Sequence, residues 1–284
     1  VRDHVLGFQG INGKGEIIKS GGTVVKNVTG YDLSKLITGS FGTLSILTEI
    51  TLKVLPKKNF SNTVVIDVED HKKIYDLFNL ISGSSSEVSG AVFIPSEPED
   101  KNYKKNRDKI FKFNDLDFKG PFLAFRVEGD KISINEKIKS LTEELKLNTF
   151  RTFLLDSYQS NPFWKKINNL ELFEMTENNL LRIVIEPSNG SKMAKYLNNK
   201  FKYYIDWCGS LFWVEVPAKK NMKVKEIKKI AIDFGGYLTI IKTSSEYDYE
   251  ESIFTIDDVR LIISKKIKES FDPKRILNPG KMYR

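Results

Sequence analysis

Two short stretches near the start of the chain have the composition of a ligand cradle. One runs Gly21-Gly22-Thr23-Val24-Val25-Lys26-Asn27-Val28-Thr29-Gly30-Tyr31-Asp32-Leu33. The other runs Gly39-Ser40-Phe41-Gly42-Thr43-Leu44-Ser45-Ile46-Leu47-Thr48-Glu49. Glycine allows positive φ and a close approach of backbone to ligand. Exposed N–H groups in such turns form nests that bind anions. A Gly/Ser/Thr loop leading into a strand can hold a phosphate through its amides and hydroxyls. Glycine turns also simply join strands, and the residues alone leave both readings open.

Other reactive side chains are scarce. The chain has one cysteine, Cys208, and two histidines, His4 and His71. That excludes an internal disulfide framework and leaves little material for a zinc site. Both histidines read as structural or surface residues, and Cys208 as a small buried hydrophobe. No Walker loop, nucleophile elbow or zinc-protease helix is present. Net charge is +8, but only eight of the 45 basic side chains are Arg. Nucleic-acid phosphates and base edges favour the planar guanidinium, so the lysines read mainly as solvated helix faces. No apolar run approaches the roughly 20 residues of a membrane-spanning helix. Residue 1 is Val and no signal peptide precedes it, so the chain is expected to be a piece of a longer one, cut at its N-terminus.

The elements that must position these residues fall into two regions of an α+β chain. Residues 1–57 hold half of the 18 glycines. Strands are expected over 5–11 and 16–19 around the Asn12-Gly13-Lys14-Gly15 turn. A short helix is expected over 32–37, ending at Gly39, and a further strand over 44–55, ending at Pro56. Residues 58–256 then show one element order twice. Strands at 62–68, 90–94, 122–127 and 149–155 alternate with helices at 69–82 and 131–146, and 101–118 reads as a loop with a short helix. After a linker helix over 157–170, strands at 180–186, 203–207, 211–216 and 237–241 alternate with helices at 191–199 and 222–234. Each half is βαββαβ, which predicts two ferredoxin-like antiparallel units. RNA-recognition motifs share that order, but their aromatic strand signature is absent. Trp207, Phe212 and Trp213 fit a buried or half-buried hairpin around Gly209-Ser210. The last helix, over 257–271, carries Val259, Ile262, Ile263 and Ile267 as one packing stripe. The region 257–284 is expected to return to the first domain.

The run Asn27-Val28-Thr29-Gly30-Tyr31-Asp32-Leu33-Ser34-Lys35-Leu36, then Gly39-Ser40-Phe41-Gly42-Thr43-Leu44 and Thr48-Glu49-Ile50-Thr51-Leu52-Lys53, resembles the end of the FAD-binding domain of FAD-linked oxidases. That family is the vanillyl-alcohol oxidase / p-cresol methylhydroxylase (PCMH-type) superfamily. The opening Val1-Arg2-Asp3-His4-Val5-Leu6-Gly7, with Lys26-Asn27-Val28, resembles its branch of FAD-binding E subunits of bacterial glycolate oxidases. The ending Phe271-Asp272-Pro273-Lys274-Arg275-Ile276-Leu277-Asn278-Pro279-Gly280-Lys281 resembles the superfamily's C-terminal signature. Motif similarity covers ~70 residues, at both ends and in the right order.

The resemblance implies FAD as cofactor. Its contacts would be Lys26, Asn27, Gly30, Tyr31, Gly39, Ser40, Gly42, Thr43, Leu44, Ile46 and Asn278. It implies that residues 1–57 are the C-terminal portion of a PCMH-type FAD-binding domain and that the duplicated region is the substrate-covering cap. It also implies a catalytic flavoprotein partner and an iron–sulfur partner in a cytoplasmic complex, held at the inner face of the membrane through those partners. The complex would oxidise glycolate or a similar small 2-hydroxy acid. A non-catalytic scaffold role in that complex is the alternative. Leu33 and Leu36 read as a helix core face rather than as ligand contacts. Three departures stand out. Ser45 replaces a glycine usual in the family, the N-terminal half with its pyrophosphate-binding loop is missing, and so is the His-x-Gly-Asp-Gly-Asn metal motif. Arg126, Arg151 and Arg182 are the candidate carboxylate clamps, and no catalytic base can be named.

Overall fold

The computed structural model describes residues 2–22, 30–96, 112–113, 116–117, 120–173, 177–220, 222–245 and 252–282. The chain divides into two compact units, Val1–Lys57 with Asp248–Arg284, and Lys58–Tyr247.

In the first unit, β1 (Val5–Asn12) pairs antiparallel with β2 (Ile17–Gly21) on one side and β3 (Ser45–Leu52) on the other. Asn12 sets the β1–β2 turn, because its side-chain oxygen accepts from the N–H groups of Lys14 and Glu16 at 2.9 and 3.0 Å. The expected third strand stops at Leu52 instead of residue 55. Val5, the first residue of β1, pairs with Leu52, and beyond it only Lys53 is still held, by His4, whose O accepts from the Lys53 N–H at 2.7 Å. Helix α1 (Leu33–Ile37) is capped by Asp32, which accepts from the Lys35 N–H. The C-terminal helix (Asp258–Phe271) is capped by Asp257 in the same way. A small core of Phe8, Ile37 and Leu44 gathers Leu33, Leu36, Ile267 and Phe271 around it. Leu33 and Leu36 thus sit on a core face, as their spacing predicts. The expected stripe on the C-terminal helix is corrected. Ile267 and Phe271 pack, whereas Val259, Ile262 and Ile263 are 67, 55 and 51% exposed. A three-stranded layer is too small to reach the helix's first turns.

In the second unit, eight antiparallel strands form one sheet. These are β4 (Phe60–Asp67), β5 (Val88–Ile94), β8 (Phe122–Gly129), β9 (Thr152–Leu155), β10 (Asn179–Val184), β11 (Lys202–Asp206), β12 (Leu211–Val216) and β13 (Tyr237–Lys242). Their order is β13-β10-β12-β11-β5-β8-β4-β9. Counted within its own half, each set reads fourth-first-third-second, and the halves join where Ile205 pairs with Phe93. Of the expected loop, residues 101–111, 114–115 and 118 lie outside the described residues. The short strands β6 (Lys112–Phe113) and β7 (Leu116–Asp117) pair with each other. The hairpin expected around Gly209-Ser210 is instead closed by a 3-10 turn at Trp207–Gly209.

Helix α4 (Ser157–Asn168) covers one face of the first half, laying Phe163, Trp164 and Ile167 on Val65, Val92, Ile94, Phe122 and Ala124. The residues of opposite parity, such as Ala91, Phe93, Leu123, Phe125, Leu181 and Ile183, are equally buried. Helices α2 (His71–Gly83), α3 (Lys131–Glu144), α5 (Pro187–Leu197) and α6 (Met222–Asp233) pack on that second face. Helix α5 begins four residues before the expected 191, because Pro187 occupies its first turn, where a missing N–H is harmless. Burial on both faces explains why the central strands are near-continuous apolar runs.

Under α4 lies a chain of buried hydroxyls. Ser160 Oγ is 3.0 Å from Ser61 Oγ and 2.7 Å from Thr63 Oγ1, and Trp164 Nε1 donates to Thr63 Oγ1 at 2.8 Å. Replacing Trp164 by Phe removes that donor and shrinks the packed ring. We expect a loss of about 1–3 kcal/mol, read as a lower urea midpoint at unchanged slope.

Candidate functional site

The turn between α1 and β3 is held by its own hydrogen bonds. Ser40 N–H donates to Ile37 O, and Thr43 caps the turn by donating both its N–H and Oγ1 to Ser40 O at 3.0 and 2.7 Å. Gly42 has φ +69° and Phe41, beside it, has φ +53°. This left-handed conformation suits glycine and strains Phe41.

The tail after the C-terminal helix clasps this turn. Asn278 Nδ2 donates to Phe41 O at 2.7 Å. Asn278 is held there by a buried hub. Asp272 is fully buried and accepts from the N–H groups of Ile276 and Leu277 at 3.1 and 2.8 Å. Lys268 Nζ donates to Asp272, to Thr43 O at 2.7 Å and to Leu277 O at 2.9 Å. Burial pushes the Asp272 carboxyl up, but the Lys268 ammonium and the two amides outweigh it and hold the group below its ordinary value.

Beside the clasp opens a groove of about 730 Å³, of a size that takes a small ligand. It is lined by the apolar Phe8, Ile37, Ile46, Ile50 and Leu52 together with Gly39, Ser40, Phe41, Gly42 and Asn278. Ser45 also lines it. The Ser45 hydroxyl turns away and donates to Ile11 O at 3.1 Å. Gly10 lies opposite, and a Cβ there would sit 2.5 Å from Ser45 Oγ. The serine is therefore accommodated by the β1 backbone and does not crowd the groove.

Of the expected ligand contacts, Gly39, Ser40, Gly42, Ile46 and Asn278 line this groove together. Thr43 and Leu44 are buried and do not line it. Gly30 is exposed, Tyr31 is 92% exposed, and neither lines the groove. Lys26 and Asn27 lie outside the described residues. Sequence reasoning missed Lys268 and Asp272. Their i,i+4 spacing before a proline was the available signal. His4 donates through its ring to Lys53 O at 2.9 Å, a structural use of that histidine.

In the second unit, the charges of Arg182 and Arg126 both act on Asp206, whereas Arg151 pairs elsewhere. Arg126 donates to Ser89 Oγ at 2.9 Å, pairs with Glu128 at 3.4 Å and stacks on Trp164. Arg151 pairs with Asp67 at 3.7 Å and lies over Phe153. Asp206 accepts from the Trp207 N–H at 2.7 Å. Burial raises its pKa, against the pull of that amide, Arg182 and Arg126. Trp207, expected in a buried or half-buried hairpin, is 55% exposed, because the left-handed backbone of the turn swings its indole out of the strand's alternation. Burial pushes the Cys208 thiol up to about 11. Alkylation of Cys208 by iodoacetamide at pH 7.5 is therefore expected to be at least tenfold slower than that of a free thiol, because the thiolate is the nucleophile. Mass spectrometry of timed samples checks this.

The fold is one already seen in solved structures. The structure superposes on p-cresol methylhydroxylase, solved with substrate bound, with a TM-score of 0.66 over 98% of this chain and 64% of that one, at 12% identity. In sequence, the chain is 28% identical over its whole length to glycolate oxidase subunit GlcE of Escherichia coli and covers 66% of it. It is 26% identical to glycolate oxidase subunit GlcD of Bacillus subtilis over 99% of its length and covers 63% of that protein. No family model matches. The chain is thus similar over its whole length to glycolate oxidase subunits, and it spans about two thirds of the length of the curated relatives it matches.

Proposed function

We propose that this chain is the C-terminal part of an FAD-binding subunit of a glycolate oxidase-like complex. The groove carries this reading, with its largely apolar lining, the 39–42 turn and the Asn278 clasp. Gly39, Ser40, Gly42, Thr43, Leu44, Ile46 and Asn278 would hold FAD there, with Lys26, Asn27, Gly30 and Tyr31 toward the flavin. The first unit then serves as the C-terminal portion of the FAD-binding domain, and the second as a cap of two ferredoxin-like halves.

When bound, the flavin supplies a two-electron acceptor. The chain's own work is to present backbone groups to the cofactor, exclude water from the apolar groove and orient the substrate from the cap. The reaction would convert a small 2-hydroxy acid, glycolate first, to the 2-oxo acid, with electrons leaving through a catalytic flavoprotein partner and an iron–sulfur partner. The complex would be cytoplasmic. No helix among the described residues is long and apolar enough to cross a membrane.

Anaerobic addition of glycolate to the purified complex is expected to bleach the flavin of this subunit. A subunit whose flavin stays oxidised while the partner's is reduced would refute the catalytic role. One observation favours that second reading, a scaffold. His4 is engaged with Lys53, and the sequence has no counterpart of the family's histidine-bearing metal motif. Full glycolate oxidation by the partner alone would support it.

A further inference from the structure

Ser34 stands apart from the other polar residues of the groove. It lines the groove from α1 and is only 3% exposed. Its hydroxyl is buried and has no hydrogen-bond partner. Three other polar side chains that line the groove are spent on main-chain carbonyls. Thr38 Oγ1 donates to Ser34 O at 2.7 Å, Ser45 Oγ to Ile11 O at 3.1 Å and Asn278 Nδ2 to Phe41 O at 2.7 Å.

A buried hydroxyl without a partner weakens a fold, because folding strips its water and returns nothing. Native interiors rarely keep such a group. A serine inside a helix can donate to the carbonyl one turn back. Helix α1 begins at Leu33, so Ser34 has no helical carbonyl behind it. Alanine would suit this helix better. The hydroxyl therefore costs the empty protein stability, and within the chain it gains nothing in return.

The lining indicates which partner the hydroxyl lacks. Among the described residues, no ionisable side chain lines the groove. A phosphate would find no counter-charge there. A neutral ring with nitrogen or carbonyl groups would pack on Phe8, Ile37, Ile46 and Ile50 and keep its polar edge for a hydroxyl. Ser34 Oγ can donate or accept, and no protein partner fixes its direction.

We infer that Ser34 is a ligand-binding residue of this groove, and that its hydroxyl bonds the polar edge of a neutral heteroaromatic ring. The choice of FAD as first probe rests on the functional reading above. Both ring systems of FAD, isoalloxazine and adenine, have the required chemistry. The consequence is a substitution with effects of opposite sign. Removing the hydroxyl relieves the empty protein and weakens the complex.

The test strips the full-length protein of cofactor, measures its urea midpoint, and titrates it with FAD, riboflavin, adenosine and sodium pyrophosphate, following calorimetric heat. Ser34→Ala is expected to keep or raise the urea midpoint of the empty protein. It is expected to bind FAD about three- to tenfold more weakly. The same loss with riboflavin assigns the isoalloxazine to Ser34, and with adenosine the adenine. Ser34→Cys, a weaker donor, should fall between. Circular dichroism establishes that both variants fold. A lowered midpoint in empty Ser34→Ala would show that the hydroxyl serves the fold and would overturn the inference. A loss confined to pyrophosphate would overturn it too. Equal FAD affinity in wild type and Ser34→Ala overturns it and spares the functional reading. Riboflavin or adenosine binding that Ser34→Ala weakens, in a protein that takes up no FAD, spares the inference and sinks that reading. Binding of none of these ligands by wild type overturns both.

Discussion

Replacing Asp272 by alanine releases the C-terminal tail and costs the first unit about 3–5 kcal/mol, the range for removing one partner of a buried ion pair. Asp272 is fully buried and engages three groups at once. Two are the backbone amides of Ile276 and Leu277, and the third is the Lys268 ammonium, which also donates to Thr43 O and Leu277 O. Without the carboxylate, Lys268 keeps a buried charge between two carbonyls, and Asn278 loses its anchor. The variant should unfold at lower urea and bind flavin poorly. Asp272→Asn keeps acceptor oxygen for the amides but not the charge, and should lie between. A wild-type urea midpoint for Asp272→Ala would show that the hub carries no weight.

The same carboxylate gives the first unit a pH dependence of definite sign. Its folded pKa is below its ordinary value of 3.8. A lowered acid pKa means the folded state binds fewer protons than the unfolded one, so stability rises with pH in that window. The contribution is complete above the ordinary aspartate value and disappears as pH falls through the lower, folded one. In Asp272→Asn this acid-side slope should flatten.

Replacing Gly42 by valine should spare the fold and remove the cofactor. Position 42 has φ +69°, which a β-branched residue tolerates poorly. A Cβ there would lie 2.7 Å from Asn278 Nδ2. The Asn278 amide must then leave Phe41 O, and the rim of the groove opens. The turn lies on the surface, so secondary structure should be retained while flavin affinity falls about fivefold or more, in line with a lost pocket contact of about 1–3 kcal/mol. Asn278→Ala removes the clasp without the backbone strain and should fall less far. Unchanged flavin content in Gly42→Val would detach this turn from cofactor binding.

Much of the fold is legible because the signals are local. The alternation Leu181-Arg182-Ile183 sets the parity of β10, and the paired glycines of the 39–42 turn announce positive φ. The remainder depends on distance in three dimensions. Lys268 and Asp272 look like an ordinary surface pair on a helix. What makes them a hub is Thr43 O, 225 residues away in sequence. The stripe of Val259, Ile262 and Ile263 has sound helical spacing, but periodicity does not say how far the layer beneath extends. Trp207 follows strand parity in the sequence and leaves it in the structure, because two consecutive left-handed residues turn it outward. Asn278 reads only as tail polarity until the C-terminal signature is seen as a whole, and its role as a clasp needs the carbonyl of Phe41.

The most direct measurement is the flavin content of the purified full-length protein. Its visible spectrum and the cofactor released on denaturation should show close to one FAD per chain, with the content lost in Gly42→Val while circular dichroism is unchanged. A folded, colourless wild-type protein that takes up no FAD when the cofactor is added would contradict a cofactor site in the Gly39–Asn278 groove.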